Sequence, residues 1–308
     1  MAEHRTQPSA ARFATRFAPS PTGYLHLGHA YSALAAFAAA QEASGRFILR
    51  IEDTDLTRCR PEYETGIYHD LSWLGLAWEA PVLRQSERLN IYRRALERLQ
   101  DFGVLYRCFL SRQELRAAIV RDGRGRLDGP DGPVFFGGSL PEAEAAAKLA
   151  AGAPFAWRVS VEACRRLLGA EADALTFHEE GAGPDGETGE IVADAALLGD
   201  AVIGRKDTGV SYHLAAVIDD AAQGVTHVIR GVDVFPSTHL HRLLQRLLDL
   251  PTPVYRHHSL VLGRDGRRFA KSDGSVTLQA LRAAGWTPDD VRRRVGLLPG
   301  PAKEEPHP

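Results

Sequence analysis

Cysteine is scarce in this 308-residue chain: Cys59, Cys108 and Cys164 lie 49 and 56 positions apart, and no Cys-x-x-Cys pair exists. That excludes a disulfide framework and a four-cysteine zinc site, and a reducing cytoplasm fits best. Charge of one sign is missing too. Lys and Arg number 37 against 39 Asp and Glu, a net charge of −2. Bulk charge therefore does not hold a polyanion, which leaves room only for a local basic face. The first 16 residues carry Arg5, Arg12 and Arg16 but no apolar run, so no secretory signal is expected. Residues 17–41 lack every Asp, Glu, Lys and Arg, yet Pro19, Pro21, Gly23, His26, Gly28 and His29 interrupt them. The apolar remainder, 30–40, is too short to cross a bilayer, and no membrane partner is expected. No repeat at solenoid periods is visible.

What is present is an ordinary globular composition, 44% hydrophobic and 25% charged. At about 150 residues per domain, the length fits two domains or one large domain with an insertion. The pattern predicts a strand over 12–18, an alanine-rich helix over 28–44, a buried strand over 46–51 (RFILRI) and helices over 61–75 and 86–102. This β–α–β opening implies a parallel sheet with right-handed crossovers. Residues 107–205 change character. They hold a Gly/Pro-rich passage at 123–138 and an acidic passage at 171–190 with seven carboxylates and no Lys or Arg. Neither is expected inside a doubly wound sheet, so the region reads as an insertion. From 208 the α/β pattern returns: helix 212–222, strand 225–230, helix 237–249, extended 254–262, and short helices near 278–284 and 288–295. The tail from Gly300 is expected to be disordered.

Two passages carry chemistry. The first runs from Arg16 to His29 (RFAPSPTGYLHLGH), a strand entering a proline-braced turn and then a helix start. Helix N-termini present unpaired N–H groups to phosphates. Gly28 would let a base or sugar approach the backbone, and His26 and His29 can donate to phosphate oxygens. The bland alternative is a pair of histidines capping a helix. The second passage is 263–273 (GRDGRRFAKSD), a basic, glycine-containing loop whose Lys271 can stabilise charge on a leaving pyrophosphate. Taken singly, it reads equally as a basic surface turn.

Together, HLGH and RFAKS resemble the HIGH and KMSKS signatures of class I aminoacyl-tRNA synthetases, in the right order. RIEDTD (50–55), SYHLAAVIDD (211–220) and IRGVD (229–233) resemble the glutamyl/glutaminyl branch. The resemblance covers roughly 12–295. It implies an α/β fold, a Rossmann-like parallel sheet with an inserted acceptor-type subdomain and a short helical C-terminal segment. The divisions expected are 12–106 and 206–262 for the two catalytic halves, 107–205 for the insertion, 263–299 for the loop and helical segment, and 300–308 for the tail. Only 35 residues follow Asp273, where ordinary glutamyl-tRNA synthetases carry a large anticodon-binding region. This short architecture resembles the glutamyl-Q tRNA(Asp) synthetase family. Its members activate L-glutamate with ATP and attach it to queuosine in the anticodon loop of tRNA(Asp).

The resemblance implies roles residue by residue. His26, His29 and Lys271 are the implied catalytic residues, and with Gly28 they form the implied ATP site; Mg²⁺ accompanies the nucleotide. Arg16, Phe17, Ala18, Pro19, Ser20, Glu52, Tyr212 and Arg230 form the implied glutamate site, with Glu52 receiving the α-ammonium and the arginines the carboxylates. Several relatives hold zinc through Cys-x-Cys and a later cysteine. Here Cys108 matches the first ligand but Leu110 stands at the second, so no zinc is expected and Cys108 is expected to be a small buried residue. Residues 84–126 hold eleven Lys/Arg against five Asp/Glu, and 256–294 nine against four, which suits RNA phosphates or, more plainly, solvated helix faces. A monomer is expected. The same motifs fit a truncated glutamyl-tRNA synthetase charging the 3′ end of tRNA(Glu). A non-catalytic tRNA-binding paralogue is a third possibility.

Overall fold

The structure is a computed structural model that describes residues 12–130, 132–138, 140–261, 276–303 and 305. The chain opens with β1 (Ala14–Phe17), α1 (Leu27–Glu42), β2 (Arg46–Ile51), α2 (Pro61–Trp73), β3 (Glu79–Arg84) and α3 (Leu89–Asp101). Strands β1, β2 and β3 are parallel neighbours. Both faces of β2 are covered, and Phe47 to Ile51 are all buried. That explains a nearly continuous apolar run where an exposed strand would alternate. Helix α1 packs Leu27, Ala30, Ala33, Leu34 and Ala36 inward, and alanine lets its axis lie close to the sheet. Helix α2 starts at Pro61 with Glu62 and Glu64 in its first turn, which suits the positive end of the helix dipole. The helix expected from 86 begins one turn later, because Gln85–Arg88 form a 3₁₀ turn first.

The middle region holds β4 (Leu105–Cys108), α4 (Arg112–Asp122), β5 (Gly125–Arg126), β6 (Val134–Phe135), α5 (Glu142–Ala150), β7 (Ala156–Val159), α6 (Val161–Leu168), β8 (Thr176–Glu179), β9 (Gly189–Val192) and β10 (Val202–Gly204). Strands β10, β7 and β4 form an antiparallel sheet. The Gly/Pro-rich passage contains the small β5–β6 hairpin. It is pinned by Asp200, whose backbone N donates to Phe135 O at 2.8 Å and whose carboxylate accepts from Gly137 N at 2.9 Å. Val161 N and the Tyr106 hydroxyl also donate to that carboxylate, each at 3.0 Å.

The acidic passage corrects the expectation placed on it. It does enter the main sheet: β8 pairs in parallel with the later strand at Tyr255↔Glu179, and β9 adds on antiparallel. Most of its carboxylates stay outside, but Glu179 is 1% exposed. Its charge is met there by hydrogen bonds that a sequence pattern does not reveal.

The chain then forms α7 (Tyr212–Ala222), β11 (His227–Gly231), α8 (Phe235–Leu248), β12 (Val254–His258), α9 (Leu278–Ala283) and α10 (Pro288–Arg294). The second sheet group runs β11–β12–β8–β9. It meets the first where Thr226 N donates to Ala14 O at 2.9 Å and Ala14 N donates to Thr226 Oγ1 at 2.8 Å. The combined order is β3–β2–β1–β11–β12–β8–β9. One core holds α1, α2, α9 and α10 against the sheet, and the other holds α3, α7 and α8. The C-terminal helices dock through Leu278, Leu281, Trp286, Val291 and Val295, all buried. Arg292 Nη2 also donates to Leu74 O at 2.8 Å. At the segment expected to be a disordered tail, Lys303 Nζ donates to Gly285 O at 3.1 Å and Arg294 Nε to Glu305 Oε1 at 2.7 Å.

Candidate active site

From β1 the chain crosses through α1 to β2 on one side, and from β11 through α8 to β12 on the other. The gap between these crossovers, at the carboxyl ends of β1 and β11, is where doubly wound sheets bind ligands. A cavity of about 410 Å³ opens at this end. Phe17, Ala18, Pro19, Ser20, His29, Glu52 and Tyr212 line it, so seven residues singled out from the sequence meet on one wall. Thr22, Thr54, Asp55, Arg58, Cys59, Gln85, Arg205 and Val210 complete the lining and were not anticipated.

His26 caps α1. Its Nδ1 accepts from Gly28 N at 3.1 Å, while His29 Nδ1 accepts from His26 N at 3.2 Å, and the two rings lie 3.8 Å apart. The capping alternative thus describes what these two Nδ1 atoms do. A Cβ on Gly28 would meet His26 Cε1 at 3.1 Å. Glycine here makes room for the capping ring, a constraint distinct from the anticipated approach of a base. The loop carrying Lys271 lies outside the described residues. Just beyond it, Thr277 forms a β-bridge with His26, and Leu278 N donates to Leu25 O at 2.8 Å.

Arg16 and Arg230 stand behind the cavity wall, 5% and 7% exposed. Arg16 Nε donates to Asp220 Oδ1 at 3.1 Å. Arg50, fully buried, donates through Nη1 to Asp220 Oδ1 at 2.7 Å and through Nη2 to Glu52 Oε1 at 3.0 Å. Burial pushes the Glu52 carboxyl above its ordinary value, even with Arg50 beside it. Burial works the same way on Asp220, but Arg16 and Arg50 outweigh it and hold that carboxyl low. Arg230 is tied to the cavity wall through Nη1, which donates to the hydroxyl of the lining residue Tyr212 at 3.1 Å. Arg50 and Asp220 were missed as site residues although both sit inside the quoted segments. The available signal was a charged residue on an otherwise buried strand or helix.

Cys108 is buried, as expected. Near Leu110, where the zinc pattern calls for a second cysteine, Lys206 Nζ donates to Phe109 O at 3.2 Å and Leu110 O at 3.1 Å. Among the described residues, no group of three His, Cys, Asp or Glu side chains is placed to hold a metal ion. Likewise, none of the described helices is long and apolar enough to cross a membrane.

Residues 12–165 and 175–304 match the family model of tRNA synthetases class I (E and Q), catalytic domain, and the chain belongs to that family. It is an ATP-dependent ligase of the aminoacyl-tRNA synthetase type. Within the family, it is 46% identical to the glutamyl-Q tRNA(Asp) synthetase of Rhodobacter capsulatus, across 92% of this chain and 99% of that one. It is 36% identical to the glutamate–tRNA ligase of Coprothermobacter proteolyticus, across 92% of this chain but 58% of the ligase. The crystal structure of a glutamate tRNA ligase from Elizabethkingia meningosepticum superposes with a TM-score of 0.71 at 29% identity, covering 93% of this chain and 61% of that one.

Proposed function

We propose that the protein activates L-glutamate with ATP, without needing tRNA for that step, and transfers the glutamyl group to queuosine in the anticodon loop of tRNA(Asp). The observation that carries the reading is likeness along nearly the whole length of the Rhodobacter capsulatus relative, against little more than half of a glutamate–tRNA ligase. The cavity supplies the chemistry. Glu52 is destabilised as an anion by burial and gains from a second cation, which fits the α-ammonium of glutamate. The Arg230–Tyr212 pair presents donors to a carboxylate at the same wall.

Activation is in-line attack of the glutamate α-carboxylate on the α-phosphorus of ATP, forming the mixed anhydride as the bond to pyrophosphate breaks. In this reading His26 and His29 donate to phosphate oxygens from the start of α1, whose first N–H groups add to the field. Lys271 acts on the leaving pyrophosphate. Mg²⁺ enters with ATP as part of the substrate. Transfer needs only a hydroxyl of the nucleoside as nucleophile, with adenylate leaving. In this reading 107–205, less the β8–β9 hairpin, is an insertion that grips RNA, and the enzyme works as a cytoplasmic monomer.

The test uses labelled glutamate, ATP and three acceptors: tRNA(Asp) with queuosine, tRNA(Asp) without it, and tRNA(Glu). Label on queuosine-containing tRNA(Asp) alone is expected. Label on the 3′ end of tRNA(Glu) would overturn the reading in favour of a minimal synthetase. Absence of glutamate-dependent pyrophosphate exchange by folded protein would point to a non-catalytic paralogue.

A further inference from the structure

Behind Tyr212 lies a line of buried polar side chains whose far members, Glu179 and His257, have no part in the activation described above. Glu179 ends β8, His257 sits on β12 and Arg230 on β11, three neighbouring parallel strands. Glu179 and His257 form a pair whose side chains are both 0% exposed. Glu179 Oε1 accepts from His257 N and from Gly181 N, each at 2.8 Å, and Glu179 Oε2 lies 2.6 Å from His257 Nδ1. An ionised carboxylate only accepts, so the proton of the imidazole sits on Nδ1 and Nε2 keeps a lone pair. Arg230 Nε, which only donates, points at that lone pair from 3.1 Å. Arg230 Nη2 donates to Thr238 Oγ1 at 2.8 Å, and Nη1 to the Tyr212 hydroxyl at 3.1 Å. The bonds run without a break from Glu179 to Tyr212 on the cavity wall, and only the His257 tautomer is set by its neighbours.

We propose that Glu179 and His257 are positioning residues for glutamate recognition, holding Arg230 in the one orientation that presents its guanidinium edge and the Tyr212 hydroxyl to the side-chain carboxylate of the substrate.

Stability alone does not call for such a line, since well-packed apolar residues commonly replace buried ion pairs at no loss. The surroundings agree with the tautomer assigned. Burial pushes His257 down to about 4, with Arg230 adding to that against the pull of Glu179, so the ring is neutral at physiological pH. The turn after β8 is shaped around the carboxylate: a Cβ on Gly181 would stand 2.1 Å from His257 O and 2.9 Å from Glu179 Oε1.

The informative variant is Glu179→Gln, nearly identical in shape. Its amide oxygen stays with the two backbone N–H groups, which turns its NH₂ towards His257 Nδ1. The imidazole must then carry its proton on Nε2, facing another donor on Arg230. The inference rests on glutamate being the amino acid activated, so the assay is glutamate- and ATP-dependent pyrophosphate exchange with the full chain, paired with ¹⁵N NMR of the His257 ring. In Glu179→Gln the glutamate KM is expected to rise about tenfold, with kcat and the ATP KM held within about twofold, as for loss of binding shared by ground and transition states. The ring proton is expected to move from Nδ1 to Nε2. On an Arg230→Ala background the same change is expected to add less than about twofold, because the residue it acts through is gone. Thr238→Val, which removes the Nη2 acceptor together with the long 3.5 Å contact of Oγ1 to His257 Nε2, is expected to raise the glutamate KM about threefold and serves if Glu179→Gln fails to fold. An unchanged glutamate KM, an equal fall in kcat, or an unmoved ring proton would overturn the positioning role. Wild-type protein that exchanges nothing with glutamate would instead overturn the functional reading, and the NMR result would still decide the hydrogen-bond direction.

Discussion

Arg50 and Arg230 are both buried arginines, but removing them should have different consequences. Arg50 lies among Asp220 and Glu52 with no solvent contact. Arg50→Met should leave two buried carboxylates short of a cation and cost about 3–5 kcal/mol of stability, read as a fall in the denaturant midpoint. Arg230→Ala should spare more of the fold and weaken glutamate about thirtyfold or more while changing the ATP KM little, on the scale of one lost charge-assisted hydrogen bond of about 2 kcal/mol. Equal weakening of both substrates would argue against a carboxylate role. Lys271→Ala should leave glutamate binding unchanged and slow activation about a hundredfold or more, the scale of removing one donor to developing charge. Single-turnover exchange separates those outcomes.

At the scale of elements, two features position the site without touching it. The β5–β6 hairpin and the start of α6 are held by Asp200, which accepts from Gly137 N, Val161 N and the Tyr106 hydroxyl. Asp200→Ala leaves these donors unpaired and should cost about 3 kcal/mol, with faster proteolysis in 123–138 than in the wild type. Helices α9 and α10 carry the far end of the basic loop and dock on α2 and the sheet. Leu281 is fully buried there. Leu281→Ala should cost about 2–5 kcal/mol by loss of burial and cavity formation. It should also slow activation, since the β-bridge between Thr277 and His26 depends on that docking. Wild-type exchange rates in a clearly destabilised variant would sever this link.

For the whole molecule, titration sets the pH dependence. Burial lowers His227, His239, His241 and His258 below the ordinary value of 6.5, and His257 to about 4. These rings are neutral when folded and take up protons on unfolding. Their contribution to stability is therefore complete above pH 6.5 and is lost as pH falls below it, for His257 through about 4. Asp70, whose carboxyl burial pushes up to about 6, has the opposite sign, as does Glu52. Carboxyls held low by their hydrogen-bonded partners, Asp220 and Asp55 (about 2) among them, add to the loss from the rings on acidification. Tm should drop by roughly 3 °C between pH 7 and pH 5 if about 2 kcal/mol is lost. A Tm flat across that range would mean that the rings are solvated.

Much of this protein was legible in the chain. The RFAPSPTGYLHLGH passage and RIEDTD are marked locally, because a helix N-terminus, a proline-braced turn and a short strand are set by neighbours in sequence. Element positions were also close: β2, α7 and α10 fall where periodicity and capping residues place them. What sequence pattern could not supply was the pairing of charges across the sheet. Glu179 reads as one carboxylate in an acidic passage, Arg50 as an oddity in an apolar strand, and Asp220 as the last residue of the SYHLAAVIDD segment. Each is buried because a partner comes within hydrogen-bond distance from far along the chain: His257 for Glu179, 78 residues away, Asp220 for Arg50, 170 away, and Arg16 for Asp220, 204 away. Burial of a charge is favourable only in that company, and company of this kind exists only once the strands have assembled.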